Sequence, residues 1–167
     1  MTDIEVDSLR FTFPPAWNVS KYDEWAFYRN QFSKMWSAIK AVDLIAVNGQ
    51  DIWLIEVKDY RRYPRTKSID LADEIAQKLF CTLAAMLPAK VNASSLEEQQ
   101  FAQCVMNGQR LRVVLHLEQP KQHSKLFPRA INPSNIQIQL RRIIKPIDPR
   151  PVVVESSQMQ GLEWTVK

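Results

Sequence analysis

Glycine is nearly absent from this 167-residue chain, with only Gly49, Gly108 and Gly161. A loop that cradles a phosphate needs clustered glycines so that the backbone can approach the ligand. Three isolated ones exclude the usual P-loop and dinucleotide-binding signatures. Histidine and cysteine are equally sparse: His116, His123, Cys81 and Cys104, with no CxxC pair. That is a poor donor set for zinc, and any metal here is expected to be held by carboxylates. Each cysteine sits in an apolar run, so both read as buried, reduced thiols. No apolar stretch reaches the ~18 residues of a membrane span. The acidic segment from Met1 to Asp7 lacks the basic flank and apolar core of a signal peptide. The expectation is a soluble cytoplasmic protein without a membrane partner.

What is present is an ordinary globular balance, 46% apolar and 24% charged, in a length that suits one domain over residues 1–167. Charge is unevenly placed. Residues 1–108 sum to −2, whereas residues 109–150 carry nine basic side chains against Glu118 and Asp148. A shorter basic cluster joins Lys58, Arg61, Arg62, Arg65 and Lys67. Such segments either neutralise the phosphates of a polyanion or form a solvated basic surface.

Patterning gives the order of elements. Leu9–Phe13 alternates as a strand. Trp25, Tyr28, Phe32 and Met35–Trp36 recur at helical spacing, which predicts a helix over 21–37 capped by Ser20. Two β-rich runs, Lys40–Val47 and Ile52–Tyr60, flank Asn48-Gly49 and predict a hairpin. Leu71, Ile75, Leu79 and Leu83 predict a helix over 70–87, capped by Ser68 or Asp70 and ended by Pro88. A helix over 95–106, a strand over 112–117, a helix over 133–145 and short strands at 152–155 and 162–166 complete the chain. The fold class that follows is α/β, a mixed central β-sheet flanked by helices. Trp17, Trp25, Trp36 and Trp53 read as core rather than base-stacking, and His116 as structural. Arg141-Arg142 reads equally as a phosphate contact and as solvated surface.

The hairpin holds the chemistry. Strand alternation puts Glu56 and Lys58 on one face and Ile55 and Val57 on the other, buried one. A small register offset brings Asp43, on the first strand, beside Glu56. Two adjacent carboxylates repel, and an oxygen-preferring divalent cation relieves the repulsion. The plain alternative is a surface ion pair between Glu56 and Lys58.

Val42-Asp43 followed by Glu56-Val57-Lys58, between a helix before the hairpin and a helix after it, resembles the PD-(D/E)xK nuclease superfamily and its restriction-endonuclease-like fold. The resemblance covers residues 20–120. It implies hydrolysis of nucleic-acid phosphodiesters dependent on Mg²⁺ (or Mn²⁺), with Asp43 and Glu56 as metal ligands, the Val57 carbonyl as a further one, and Lys58 orienting water. Accessory roles are implied for Glu24 on the first helix and for Gln77 or Lys78 on the next. DNA is the expected partner, contacted by Arg61, Arg62, Arg65, Arg141 and Arg142. Double-strand cutting would imply a homodimer, and specificity is expected from a partner protein. The alternative function is a catalytically weak nuclease-fold subunit that binds nucleic acid or serves assembly.

Overall fold

The structure, a computed structural model, describes residues 1–167. Its centre is a five-stranded mixed sheet built from β3 (Asn18–Lys21), β4 (Leu44–Asn48), β5 (Asp51–Asp59), β6 (Arg110–Glu118) and β7 (Val152–Val154), in that spatial order. β3, β4 and β5 are antiparallel neighbours, while β5, β6 and β7 run parallel. The parallel pairs require crossovers, which the helices supply. α2 (Leu71–Asn92) and α3 (Leu96–Met106) link β5 to β6, and α4 (Pro133–Ile143) links β6 to β7. The α/β expectation with a mixed sheet therefore holds.

The hairpin turn is set by Gly49, whose φ of 59° suits glycine. Asn48 pairs with Asp51, so the turn residues are Gly49-Gln50. Asp70 and Ser95 cap α2 and α3 by accepting from the N–H of Ala72 and Glu98. α2 runs through Pro88 to Asn92 instead of stopping. Proline removes the bond to the Ala84 carbonyl, but Ala84 is exposed, so water can take that carbonyl.

Both sheet faces are covered. Ile45, Val47, Ile52, Leu54, Val113, Leu115 and Val153 meet the helices through Ile75, Leu79, Phe101, Val105, Ile136 and Leu140. The opposite face, with Leu44, Ala46, Ile55, Val57, Val114 and Val154, packs on a second, three-stranded sheet. That sheet is β1 (Thr2–Val6), β2 (Leu9–Phe13) and β8 (Thr165–Val166), with Phe11, Phe13 and Trp164 at its centre. Asp7, at φ 53°, turns β1 into β2.

The expected helix over 21–37 is broken into a 3₁₀ turn at Tyr22–Glu24, α1 (Ala26–Asn30) and a second 3₁₀ turn at Phe32–Lys34. Ser20 lies in β3, and its hydroxyl accepts from the Trp25 indole at 2.7 Å rather than capping a helix. Trp25 is extended, and the first N–H groups of α1 are capped by Glu98 of α3 at 2.7 and 3.1 Å. The aromatics fill separate tertiary slots, so Trp25 and Phe32 are buried, whereas Trp36 is 65% exposed and leaves the core. Cys104 is exposed and Cys81 half-buried, correcting the buried reading of both. No helix is long and apolar enough to cross a membrane.

Gly108, after α3, sits against Ile52, and a Cβ there would run into the Cγ1 and Cδ1 atoms of that side chain. Gly108→Ala is expected to cost about 1–3 kcal/mol in urea denaturation by overpacking. Adding Ile52→Val should recover part of it. A variant as stable as the parent would show that this contact yields freely.

Candidate functional site

Leu44 pairs with Ile55, so Asp43, one residue before β4, lies across from Glu56 at the end of the ladder. The two expected acids are thus brought together. Asp43 Oδ2 accepts the Val57 N–H at 2.6 Å. Val57 therefore engages Asp43 through its N–H, and its side chain packs between the two sheets.

The face carrying Glu56 and Lys58 is not open, because α2 covers it. Glu56 is 1% exposed, and its Oε1 accepts from Lys78 at 2.6 Å and pairs with Lys58 at 2.9 Å. Lys58 reaches on to Glu74 of α2 at 3.1 Å. Glu74 is fully buried and also holds Arg65 at 2.6 Å and Lys67 at 2.7 Å. Arg65 donates in turn to the Tyr60 hydroxyl and the Ile69 carbonyl. Charges thus alternate from Lys78 through Glu56, Lys58 and Glu74 into the segment 60–70. The ion pair read from the sequence is a buried network, not a surface contact.

Burial, reinforced by Asp43 and resisted by Lys78 and Lys58, pushes the Glu56 carboxyl up to about 7. Burial also works to lower the Lys58 ammonium, but Glu56 and Glu74 more than offset it and hold it above its usual range. Glu74 is also opposed by burial, yet Lys67, Arg65 and Lys58 keep it well below the usual carboxylate range.

The donor set does not suit the divalent cation that the resemblance implied. No group of three or more His, Cys, Asp or Glu side chains that could hold a metal ion forms. Glu56 Oε2 and Asp23 Oδ1 are buried without partners. However, Lys58 and Lys78 already supply Glu56 with the positive charge a cation would bring.

The accessory residues divide. Lys78 joins Glu56 as its partner. Gln77 instead donates to the Ala38 carbonyl at 2.8 Å. Glu24 is half-exposed and pairs with Lys21 and Arg29. Its neighbour Asp23 is the acid near Asp43, raised by burial and by that charge. Glu74, the hub, was not singled out from the sequence, although it stands four residues before Lys78 on the same helix.

The expected nucleic-acid contacts also separate. Tyr60 donates its N–H to the Glu118 carbonyl at 2.8 Å, so the segments 60–70 and 119–132 leave the sheet side by side. Of the first, Arg61 is bound to Asp59 and Ser8, and Arg65 to Glu74, so neither is a free cation. Arg62, Lys121 and Lys125 are exposed and form no salt bridge with an acid. Tyr63 is 80% and Phe127 48% exposed among them. Arg141 and Arg142 stand in the last turn of α4, and Arg142 lines a recess with Asp70 and Asp73 at the start of α2. His116 is buried against Phe11 and pairs through Nε2 with Glu118 at 2.9 Å, while its Nδ1 is buried without a partner, so it is not the fully satisfied histidine expected.

No family model matches the chain, and no solved structure matches it. A cysteine–tRNA ligase of Neisseria meningitidis serogroup A / serotype 4A (strain DSM 15465 / Z2491) is 30% identical over 207 residues. The alignment takes in 99% of this chain, and the chain spans 30% of the length of that curated relative. The relative is an enzyme, but a ligase rather than a metal-dependent phosphodiesterase. This likeness overturns the expectation of a nuclease or hydrolase.

Proposed function

We propose that this chain is an RNA-binding module that engages tRNA in the service of a tRNA ligase. The observation that carries the reading is the pair of adjacent segments at the C-terminal ends of β5 and β6. They present three free cations, Arg62, Lys121 and Lys125, beside the exposed rings of Tyr63 and Phe127. Ligands of open α/β sheets bind outside the carboxyl ends of the strands. Cations there position phosphates, and exposed rings stack on unpaired bases. The relative named for tRNA favours RNA over the DNA expected from the sequence.

In the same reading the scaffold is restriction-endonuclease-like, and its acid–lysine constellation has a mechanical role. The chain of pairs from Glu56 to Arg65 fastens the segment 60–70 to α2, which fixes Arg62 and Tyr63 for the RNA. Preorganisation of this kind lowers the ordering cost of binding.

Fluorescence anisotropy with labelled tRNA over a salt series tests the proposal. Three phosphate contacts give a slope of log K on log salt of about −2 to −3. The triple variant Arg62→Ala/Lys121→Ala/Lys125→Ala should flatten that slope and weaken binding roughly 10- to 100-fold. Lys90→Ala, in the last turn of α2 and away from the segment 60–70, should leave it unchanged. The reverse pattern, or no tRNA binding at low salt, would sink the reading.

A further inference from the structure

α2 is the middle helix of its layer, with α3 packed on one side and α4 on the other. Its inner face is buried through Leu71, Ile75, Leu79, Met86 and Ala89. The outer face of such a helix is ordinarily polar. Here it is not. Phe80 is 70%, Leu87 55% and Val91 61% exposed, and Ala84 between them is exposed as well. From Leu79 to Ala89 the helix carries no charged residue at all. Beside this stripe opens a recess of about 330 Å³ lined by Leu83, Met86, Leu87, Val105 and Met106, which continues the apolar surface across to α3. A contiguous exposed patch of this kind marks an interaction surface.

We propose that this face is the contact between two copies of this chain. Residues 80, 84, 87 and 91 step by four, three and four, the spacing of a helix–helix seam. The four positions are also symmetric about the midpoint between 85 and 86. A two-fold axis there lays two α2 helices antiparallel and sets Leu87 of each on Ala84 of the other, with Phe80 against Val91. One operation satisfies all four residues, and the large side chains meet small ones. That self-complementarity is what an isologous dimer requires.

The available area is sufficient. α2 has 22 residues and is about 33 Å long. With the outer surfaces of α3 and α4, spaced roughly 8–10 Å to either side, the face offers on the order of 700 Å² per copy. Specific dimers bury roughly 600–1,000 Å² per partner.

Sedimentation velocity of the full chain, under reducing conditions and from about 1 to 100 μM, tests the assignment. The expected result is reversible association of the 19.4 kDa chain to a species of twice that mass. Both Phe80→Glu and Leu87→Glu change exposed side chains, so their circular dichroism and melting should match the parent. Each should weaken association at least tenfold. Ala84→Trp should do the same by filling the position that receives Leu87, while Asp73→Ala, outside the seam, should not. A chain monomeric throughout, or a dimer indifferent to Phe80→Glu and Leu87→Glu, overturns the proposal. So does a monomer that forms a complex through this face only when a purified cysteine–tRNA ligase is added, since the face would then belong to that enzyme.

Discussion

Glu74→Ala is expected to destabilise the fold by about 3–5 kcal/mol, the cost of removing one partner from a buried charge network. Glu74 is fully buried and is the only acid that Arg65 and Lys67 share with Lys58. Without it, Arg65 keeps only the Tyr60 hydroxyl and the Ile69 carbonyl, and Lys58 must share Glu56 with Lys78. Lys67 is half-exposed and can turn to water, so Lys67→Ala should cost under ~1 kcal/mol. Equilibrium urea denaturation of both variants separates a hub from an ordinary pair. The loss also has a local readout. The segment 60–70 carries Arg61, Arg62, Arg65 and Lys67, all trypsin sites, and Glu74 is what ties it to α2. Glu74→Ala should open it to cleavage at protease levels the parent survives. A variant within ~1 kcal/mol of the parent, and equally resistant, would refute the network's role.

This hub shows where reading the sequence stops. The hairpin, the pairing of Asp43 with Glu56 and the proximity of Lys58 follow from strand alternation and a glycine turn, which act over a few residues. Lys78 was within reach too, being on the helix that directly follows. Glu74 lies on that helix one turn earlier, but its partners come from a segment with no periodic pattern, so nothing local announced it. The cover over Glu56 is illegible in the sequence for the same reason. Alternation tells which residues share a face, not which element will cover it, and here both faces are covered. The broken helix over 21–37 is the converse case. Its aromatic spacing was helical, yet Glu98 from α3 supplies the cap of a five-residue helix, a contact 71 or 72 residues away in sequence. Function was the least legible. A motif of two acids and a lysine implies metal chemistry only where the charges are left uncompensated, and compensation is decided by tertiary neighbours.

The same compensation sets the pH dependence of stability. In the unfolded chain Glu56 titrates as an ordinary glutamate, about 4.3. In the fold, burial and Asp43 raise it to about 7. Between those values the folded state holds a proton that the unfolded state has lost, so stability falls as pH rises through this window and levels above about 7. Glu56 alone contributes up to about 4 kcal/mol across it. The depressed carboxylates act elsewhere. Burial opposes the ionised form of Glu118, but His116 and Ser156 hold its carboxyl at about 2, and Arg61 holds Asp59 at about 2. Their stabilisation is fully present above the unfolded value and is lost only as pH falls below it. Thermal melts from pH 3 to 8 should therefore show a maximum near pH 5, with a loss on either side. Glu56→Gln keeps the shape and an oxygen for Lys78 but cannot ionise, so it should abolish the fall between pH 5 and 7 and leave the acid limb intact. A parent whose stability is flat or rising from pH 5 to 7, or a Glu56→Gln variant with the same decline, would mean that the two lysines hold Glu56 ionised throughout. The buried end of the network would then be a permanent ion triplet rather than a group poised at neutral pH.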